Sequence, residues 1–320
     1  MVESKRITSA LIADVEALAT RAGRMVGTPG HAQARSYLVD RLRGLDLTPH
    51  GDAFELPYAV EGLSLCNVIG VVEGARPDLD PVVLAAHYDT CGPLPGADDN
   101  AAAVAIALEV GKRLRAMPTD RSVAIALFDG EEPPCFLSPA MGSIHWYHHQ
   151  RRSPVHCALV LDLVGHAVPV EGIEDLVFVT GMESDPGLVL DDLVPPDGVR
   201  LHPTLNRYVG DLSDHHVFRV HQRPYLFLSC GRWEHYHAPT DTPDRLDYEK
   251  MAAIATLTEM LIRRVCAERL EGPFDGGVIL PLELQAIRRH FGALLGSAAD
   301  LREREEVDAF VAMVQAGFGL

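Results

Sequence analysis

The sequence predicts an α/β fold, a three-layer sandwich in which helices flank a mainly parallel, mixed central sheet. Three observations predict it. The apolar runs Pro81 to His87, Ser122 to Phe128, Cys157 to Leu161 and Pro224 to Ser229 have strand length and little polar alternation, as strands buried on both faces do. Segments of helical periodicity separate them. The chemically suggestive polar clusters stand just past such runs, where open α/β sheets place their ligands.

In chain order, residues 5–48 read as helical, with Ile7, Leu11, Val15 and Leu18 at helical spacing. The loop Gly27-Thr28-Pro29-Gly30 divides them, and a second helix runs through Ala34, Tyr37, Leu38, Leu42 and Leu45. Residues 52–75 change to strand-like text ending in Cys66 to Glu73. The strand 81–87 is followed by a helix over 100–116, and the strand 122–128 ends at Asp129-Gly130-Glu131-Glu132. Further on, Leu176 to Thr180 is a short strand, 185–194 a helix, and 248–268 a long amphipathic helix. Beyond Gly272-Pro273 the text turns helical and charged over 280–318, with the run Arg302 to Glu306. One principal domain, 1–271, and a C-terminal helical appendage, 272–320, are expected.

Composition narrows the function. Hydrophobic residues make up 47% of the 320 residues and charged residues 23%, the profile of a chain with a full core. Against 45 acidic residues stand 28 Lys and Arg, for a net charge of −17, which argues against nucleic acid or an anionic membrane as a partner. Ordinary solubility accounts for this acidity, and carboxylates also favour cationic substrates such as free peptide N-termini. The charged, amphipathic N-terminus has neither an apolar core nor a small-residue cleavage site, which predicts a cytoplasmic protein. No apolar run approaches the length of a membrane span. The six scattered cysteines (Cys66, Cys91, Cys135, Cys157, Cys230, Cys266) form no CxxC pair and read as mostly buried thiols in a reducing compartment, with a disulfide between two of them as the alternative.

The chemistry concentrates at His87-Tyr88-Asp89-Thr90 and Gly96-Ala97-Asp98-Asp99-Asn100, between an apolar strand and an apolar helix. Five residues fit as metal ligands: His87, Asp98, Glu132, Asp162 and His237. Singly, each has an ordinary alternative: His87 as a core histidine, Asp98 or Asn100 as a helix N-cap, Asp162 as a strand end. Together, at the ends of successive buried strands, they point to a two-metal site. Such a site needs one shared carboxylate, and Asp98, on the tight Gly-Ala-Asp-Asp turn, is the natural candidate. Glu131 and Glu132 are adjacent and point in different directions, so one can bind metal while the other, Glu131, serves as general base.

In order along the chain come V-V-L-A-A-H-Y-D-T, G-A-D-D-N, F-D-G-E-E-P-P with M-G-S beginning ten residues after Glu131, L-D-L-V-G, S-D-H-H-V-F and Y-H-A-P-T-D-T-P-D-R-L-D. Over residues 20–268 this set resembles the two-zinc aminopeptidase family, whose clan also holds glutamate carboxypeptidases and glutaminyl cyclases. The resemblance implies the phosphorylase/hydrolase-like zinc exopeptidase fold and two zinc ions per chain. It implies that His87 and Asp162 hold one ion, Glu132 and His237 the other, and that Asp98 bridges them. It further implies Glu131 as general base, Asp89 as the partner that orients His87, and a cis peptide at Asp98–Asp99. Tyr236 would either hydrogen-bond a developing oxyanion or pack. Asp214 would hold the pocket or the substrate amine, or cap a helix. His235 is set aside in favour of His237, which directly precedes A-P-T-D-T-P.

Two departures stand out: Ala101-Ala102-Ala103 after D-D-N, and the inserted Pro133-Pro134-Cys135-Phe136 near the expected substrate pocket. The expected activity is that of an aminopeptidase acting on peptides or small aminoacyl substrates. The alternatives are a single-zinc glutaminyl cyclase and, from another class, a catalytically inactive binding module. Asp99-Asn100 and Asp241-Thr242-Pro243 favour the peptidase over the cyclase, and the five ligand positions speak against the inactive module. The oligomeric state stays open.

Overall fold

In the computed structural model, which describes residues 2–271, 276–292 and 300–318, every buried apolar run becomes a strand of one nine-stranded sheet. The elements are α1 (Val2–Leu18), α2 (Pro29–Gly44), β1 (Thr48–Pro49), β2 (Glu55–Val60), β3 (Leu63–Val72), β4 (Val82–His87), α3 (Ala102–Ala116), β5 (Val123–Phe128) and α4 (Gly142–His145). Then come β6 (Cys157–Leu161), β7 (Leu176–Thr180), β8 (Arg200–Pro203), α5 (Asn206–Val209), α6 (His215–Val220), β9 (Tyr225–Ser229), α7 (Tyr248–Ala267), α8 (Leu280–Phe291) and α9 (Arg304–Phe318). The strand order is β1-β3-β5-β4-β6-β9-β7-β8, with β2 also paired to β3. The centre, β5-β4-β6-β9, is parallel, and antiparallel pairs flank it at β3–β5 and β9–β7.

Why the centre is parallel follows from its composition. β4, β5, β6 and β9 are buried along their whole length, so both faces need a covering layer. On β4, Val82, Leu84 and Ala86 face a core shared with α1, α3 and α7, while Val83 and Ala85 face Trp146, Tyr147 and Phe218 on the other side. α3 is enclosed from Ala102 to Gly111. Its many alanines allow the sheet, α1 and α7 to approach closely around it. Gly-Thr-Pro-Gly starts α2 as expected, with Thr28 accepting from the His31 N–H at 3.3 Å and Pro29 at the first helical position.

Two expectations need revision. The segment 185–194 is not a helix but a single 3-10 turn, Pro186–Leu188, after which Val189 is extended. Gly187 weakens helix propagation, and the chain runs towards Pro195-Pro196, which lack N–H donors. The helix expected over 100–116 starts at Ala102, because Asp99 and Asn100 have non-helical backbone. The helical text 280–318 contains two helices, α8 and α9, with 293–299 outside the described residues. The expected domain boundary after 271 abuts 272–275, which also lie outside them. α8 and α9 share a small core of Leu284, Ile287, Val307 and Phe310. Glu283 of α8 is paired with Arg304 of α9, and Arg207 with Asp308. No helix among the described residues is long and apolar enough to cross a membrane.

Candidate metal centre

Parallel neighbours present their carboxyl ends on one edge, so β4, β5, β6 and β9 bring the residues beyond those ends together. His87 is the last residue of β4. Its Nε2 lies 3.2 Å from Asp99 Oδ1, 3.7 Å from Asp162 Oδ1 and 3.8 Å from Glu131 Oε2. Its Nδ1 faces Asp89 Oδ1 at 3.5 Å. Asp89 also accepts the backbone N–H groups of Glu131 and Glu132, both at 3.1 Å. One carboxylate therefore stands behind the β4 histidine and fixes the turn after β5.

The carboxylate that lies between the two histidines is Asp99, not the expected Asp98. Asp99 Oδ1 faces His87, and its Oδ2 lies 3.1 Å from His237 Nε2. Asp98 points the opposite way and is fully buried, accepting from the Gly165 N–H at 2.7 Å and lying 2.7 Å from His166 Nδ1. Likewise the cis peptide is Asp99–Asn100 rather than Asp98–Asp99. The physical reason is the irregular backbone of this turn, which sends adjacent side chains to opposite sides. Long-range contacts hold it. Asp241 accepts the N–H groups of Asp98 and Asp99 at 2.8 and 3.1 Å, and Asn100 Nδ2 donates to Leu161 O at 3.0 Å.

Arg24 braces the same loop from below. It is completely buried and donates to the carbonyls of Leu18, Tyr88, Pro95 and Gly96 at 2.7–3.0 Å. Burial lowers its pKa to about 10, while Asp99, Asp241, Asp89 and Glu132 pull the other way, so it stays cationic. The sequence reading missed both Arg24 and Asp241. D-T-P marked the latter as a motif but not as an anchor, and nothing local marks Arg24.

The other half of the centre comes from the turns after β5 and β9. Glu132 Oε1 is 3.1 Å from His237 Nε2. His237 has left-handed backbone, φ 52°, uncommon outside glycine but tolerated by histidine. His235 is turned to Thr240 at 3.0 Å, away from the cluster. Tyr236 stacks on His237 with centroids 3.8 Å apart and lies under the Arg232 guanidinium. Asp214 sits at the start of α6 but makes no capping bond; its carboxylate is fully buried beside Ser143, and its charge helps to raise Glu131. Enclosed there, it is not presented to a substrate amine. Of the inserted residues, Cys135 is buried against Leu65 and Ala140.

Electrostatics show what the cluster needs. Burial raises Glu131, Glu132, Asp162 and Asp214, with neighbouring carboxylates adding to the shift, and it raises Asp241 to about 7. Burial alone would lower His87 and His237. Carboxylate contacts outweigh it, raising His87 well above its ordinary value and His237 to about 9. Asp99 is also pushed up by burial, but its two histidine contacts win and hold it low. Two imidazoles and Arg24 face seven carboxylates: Asp89, Asp99, Glu131, Glu132, Asp162, Asp214 and Asp241. So many buried carboxylates must either take up protons or be met by further positive charge. Divalent ions fit. Ligand atoms of His87, Asp99 and Asp162 lie within 4.8 Å of one another, as do those of His87, Glu131 and Glu132 and those of Cys91, Glu132 and His237. Asp162 Oδ1 is buried without a hydrogen-bond partner.

With this geometry established, comparison with known proteins places the chain. The family model described as Peptidase family M28 matches residues 67–262. The chain belongs to peptidase family M28. Within this M28 chain the matched span contains every residue of the cluster from His87 to Asp241. It is 29% identical over 206 residues to the uncharacterized protein YfbL of Escherichia coli K12, covering 54% of this chain and 63% of YfbL. The chain spans from 22% to 63% of the length of the curated relatives it matches. Its fold is that of a Zn-dependent exopeptidase from Parabacteroides distasonis (TM-score 0.64, 18% identity, 80% of this chain and 97% of that one). It is equally that of Tannerella forsythia glutaminyl cyclase (TM-score 0.64, 18% identity, 82% and 99%).

Proposed function

We propose that this M28 protein is a zinc exopeptidase of the aminopeptidase type, with two ions per chain. The observation that carries the reading is Asp99, whose two oxygens each face a different histidine. His87 and Asp162 would hold one ion, Glu132 and His237 the other, with Asp99 shared. When bound, the ions would polarise the scissile carbonyl and lower the pKa of a water towards ~7.

The chain's own groups do the rest. Glu131 accepts a proton from the attacking water and returns it to the leaving amine. Its burial and the surrounding carboxylates raise its proton affinity, as a group that must both take and give a proton requires. Asp89 holds the backbone of Glu131 and Glu132 and so fixes the angle between base and ligand. The half-buried Tyr236, anchored on His237, supplies a hydroxyl at the rim for the oxyanion.

The test combines metal analysis with a panel of aminoacyl nitroanilides and N-terminal glutaminyl peptides. Two zinc equivalents and hydrolysis are expected. Glu131→Gln should keep both ions and lose ~10²–10⁴-fold in turnover. A single-zinc glutaminyl cyclase is the second reading, supported by the cyclase among the fold relatives. One equivalent of zinc with cyclisation of N-terminal glutamine would establish it instead.

A further inference from the structure

The centre contains a potential ligand that the two-ion reading leaves unused. Cys91 lies four residues beyond His87, on the loop leaving β4, and its Sγ is within 4.8 Å of ligand atoms of both Glu132 and His237. It lines the same small recess as Asp99, Glu132, His237 and Asp241. The other five cysteines are buried, whereas Cys91 is half-exposed.

Its position is fixed by the bonds around it. Arg24 donates to the carbonyl of Tyr88 at 2.7 Å and, through its backbone N–H, to Thr90 Oγ1 at 2.8 Å. Thr90 Oγ1 donates in turn to Gly92 O at 2.9 Å. Residues on both sides of Cys91 are thus tied down, which keeps its backbone at the Glu132–His237 side of the centre.

We propose that the Cys91 thiolate is a fourth protein ligand to the ion held by Asp99, Glu132 and His237. This rests on the metal-centre reading above and makes its two halves unequal. Thiolate, imidazole and carboxylates are all good zinc donors, and a zinc with four protein ligands can still take a fifth as the reaction proceeds. The other half has His87, Asp162 and the shared Asp99, three protein ligands, which is the pattern of an open, catalytic position. That open position lies on the side of Glu131, the base, whose Oε2 is 3.8 Å from His87 Nε2. Both ions would still border the substrate, the one beside Cys91 with four protein ligands and the one beside His87 with three.

Cobalt(II) tests the assignment without using activity. The full chain is stripped, loaded with cobalt and titrated against a chelator, alongside Cys91→Ala and Cys91→Ser. The wild type should show a sulfur-to-cobalt charge-transfer band in the near ultraviolet, and both variants should lose it. One cobalt should dissociate from the variants at least roughly tenfold more readily, the least change expected when even an outer partner of a metal ligand is removed. Circular dichroism confirms that the variants fold. Two cobalt ions without the band, or a band that survives in folded Cys91→Ala, overturns the Cys91 ligand and leaves the two-ion reading standing. A single cobalt with the band supports the Cys91 ligand and overturns the count of two. A chain that binds no cobalt overturns both.

Discussion

At the residue scale the centre depends on which of two adjacent aspartates faces inward. Asp98 and Asp99 are chemically identical, yet one accepts from Gly165 and lies against His166 while the other lies between two histidines. Asp99→Asn should therefore abolish stable metal binding. Asp98→Asn should retain metal and cost about 1–3 kcal/mol of stability by weakening two buried charge-assisted contacts. Metal analysis and urea denaturation of the pair distinguish these outcomes, and equal metal loss in both would refute the assignment of the shared carboxylate. Arg24 is the other decisive residue. Arg24→Met would leave four carbonyls without their donor in a buried place, and a loss of ~3 kcal/mol or more is expected in the same denaturation measurement.

At the scale of elements, the loop from His87 to Ala101 connects a buried strand to a buried helix, and its path is dictated by close contacts. Gly96 shows this. Its φ is 60°, and a Cβ there would stand 2.3 Å from the Asp99 carbonyl oxygen and 2.5 Å from Thr90 Cγ2. Gly96→Ala should displace Asp99 and Thr90 together, so a fall in metal affinity is expected along with a lower melting temperature. Calorimetry of zinc binding on the folded variant checks it; unchanged affinity would mean that the loop tolerates the shift. The central strands were legible in sequence because each is a nearly uninterrupted apolar run, and β6 and β7 begin and end where that text does. β8, α5 and α6 were not, because Arg200–Pro203 is short and half-polar and the two helices span only one or two turns.

At the scale of the whole molecule, α8 rests on the outermost strand β8 through a pair of imidazoles. His202 Nδ1 lies 3.3 Å from His290 Nδ1, both are buried, and burial lowers them to about 3 and about 4. Their folded pKa values lie below the unfolded value of ~6.5, so the native state binds fewer protons. The stability this pair permits is present above pH ~6.5 and is lost as pH falls through the window towards the folded values. For His202 alone the slope is ~1.4 kcal/mol per pH unit. Urea denaturation at pH 7.5 and 5.5 should show the loss, and His202→Gln should flatten it; an unchanged slope in that variant would remove the pair as the cause.

Taken alone, the sequence determined the sheet-and-helix alternation, the family resemblance and the convergence of His87, Glu131, Glu132, Asp162 and His237. Each of these rests on a local rule. A buried run makes a strand, and the residues just past the carboxyl end of a parallel strand lie at the ligand edge. Only the tertiary structure decided that Asp99 faces the histidines and Asp98 turns away, that Asp241 and Arg24 hold the turn, and that Cys91 stands beside Glu132 and His237. The reason is physical. Which side of a turn a carboxylate faces depends on the backbone dihedrals, and here those dihedrals are held by groups 72 and 143 residues away along the chain.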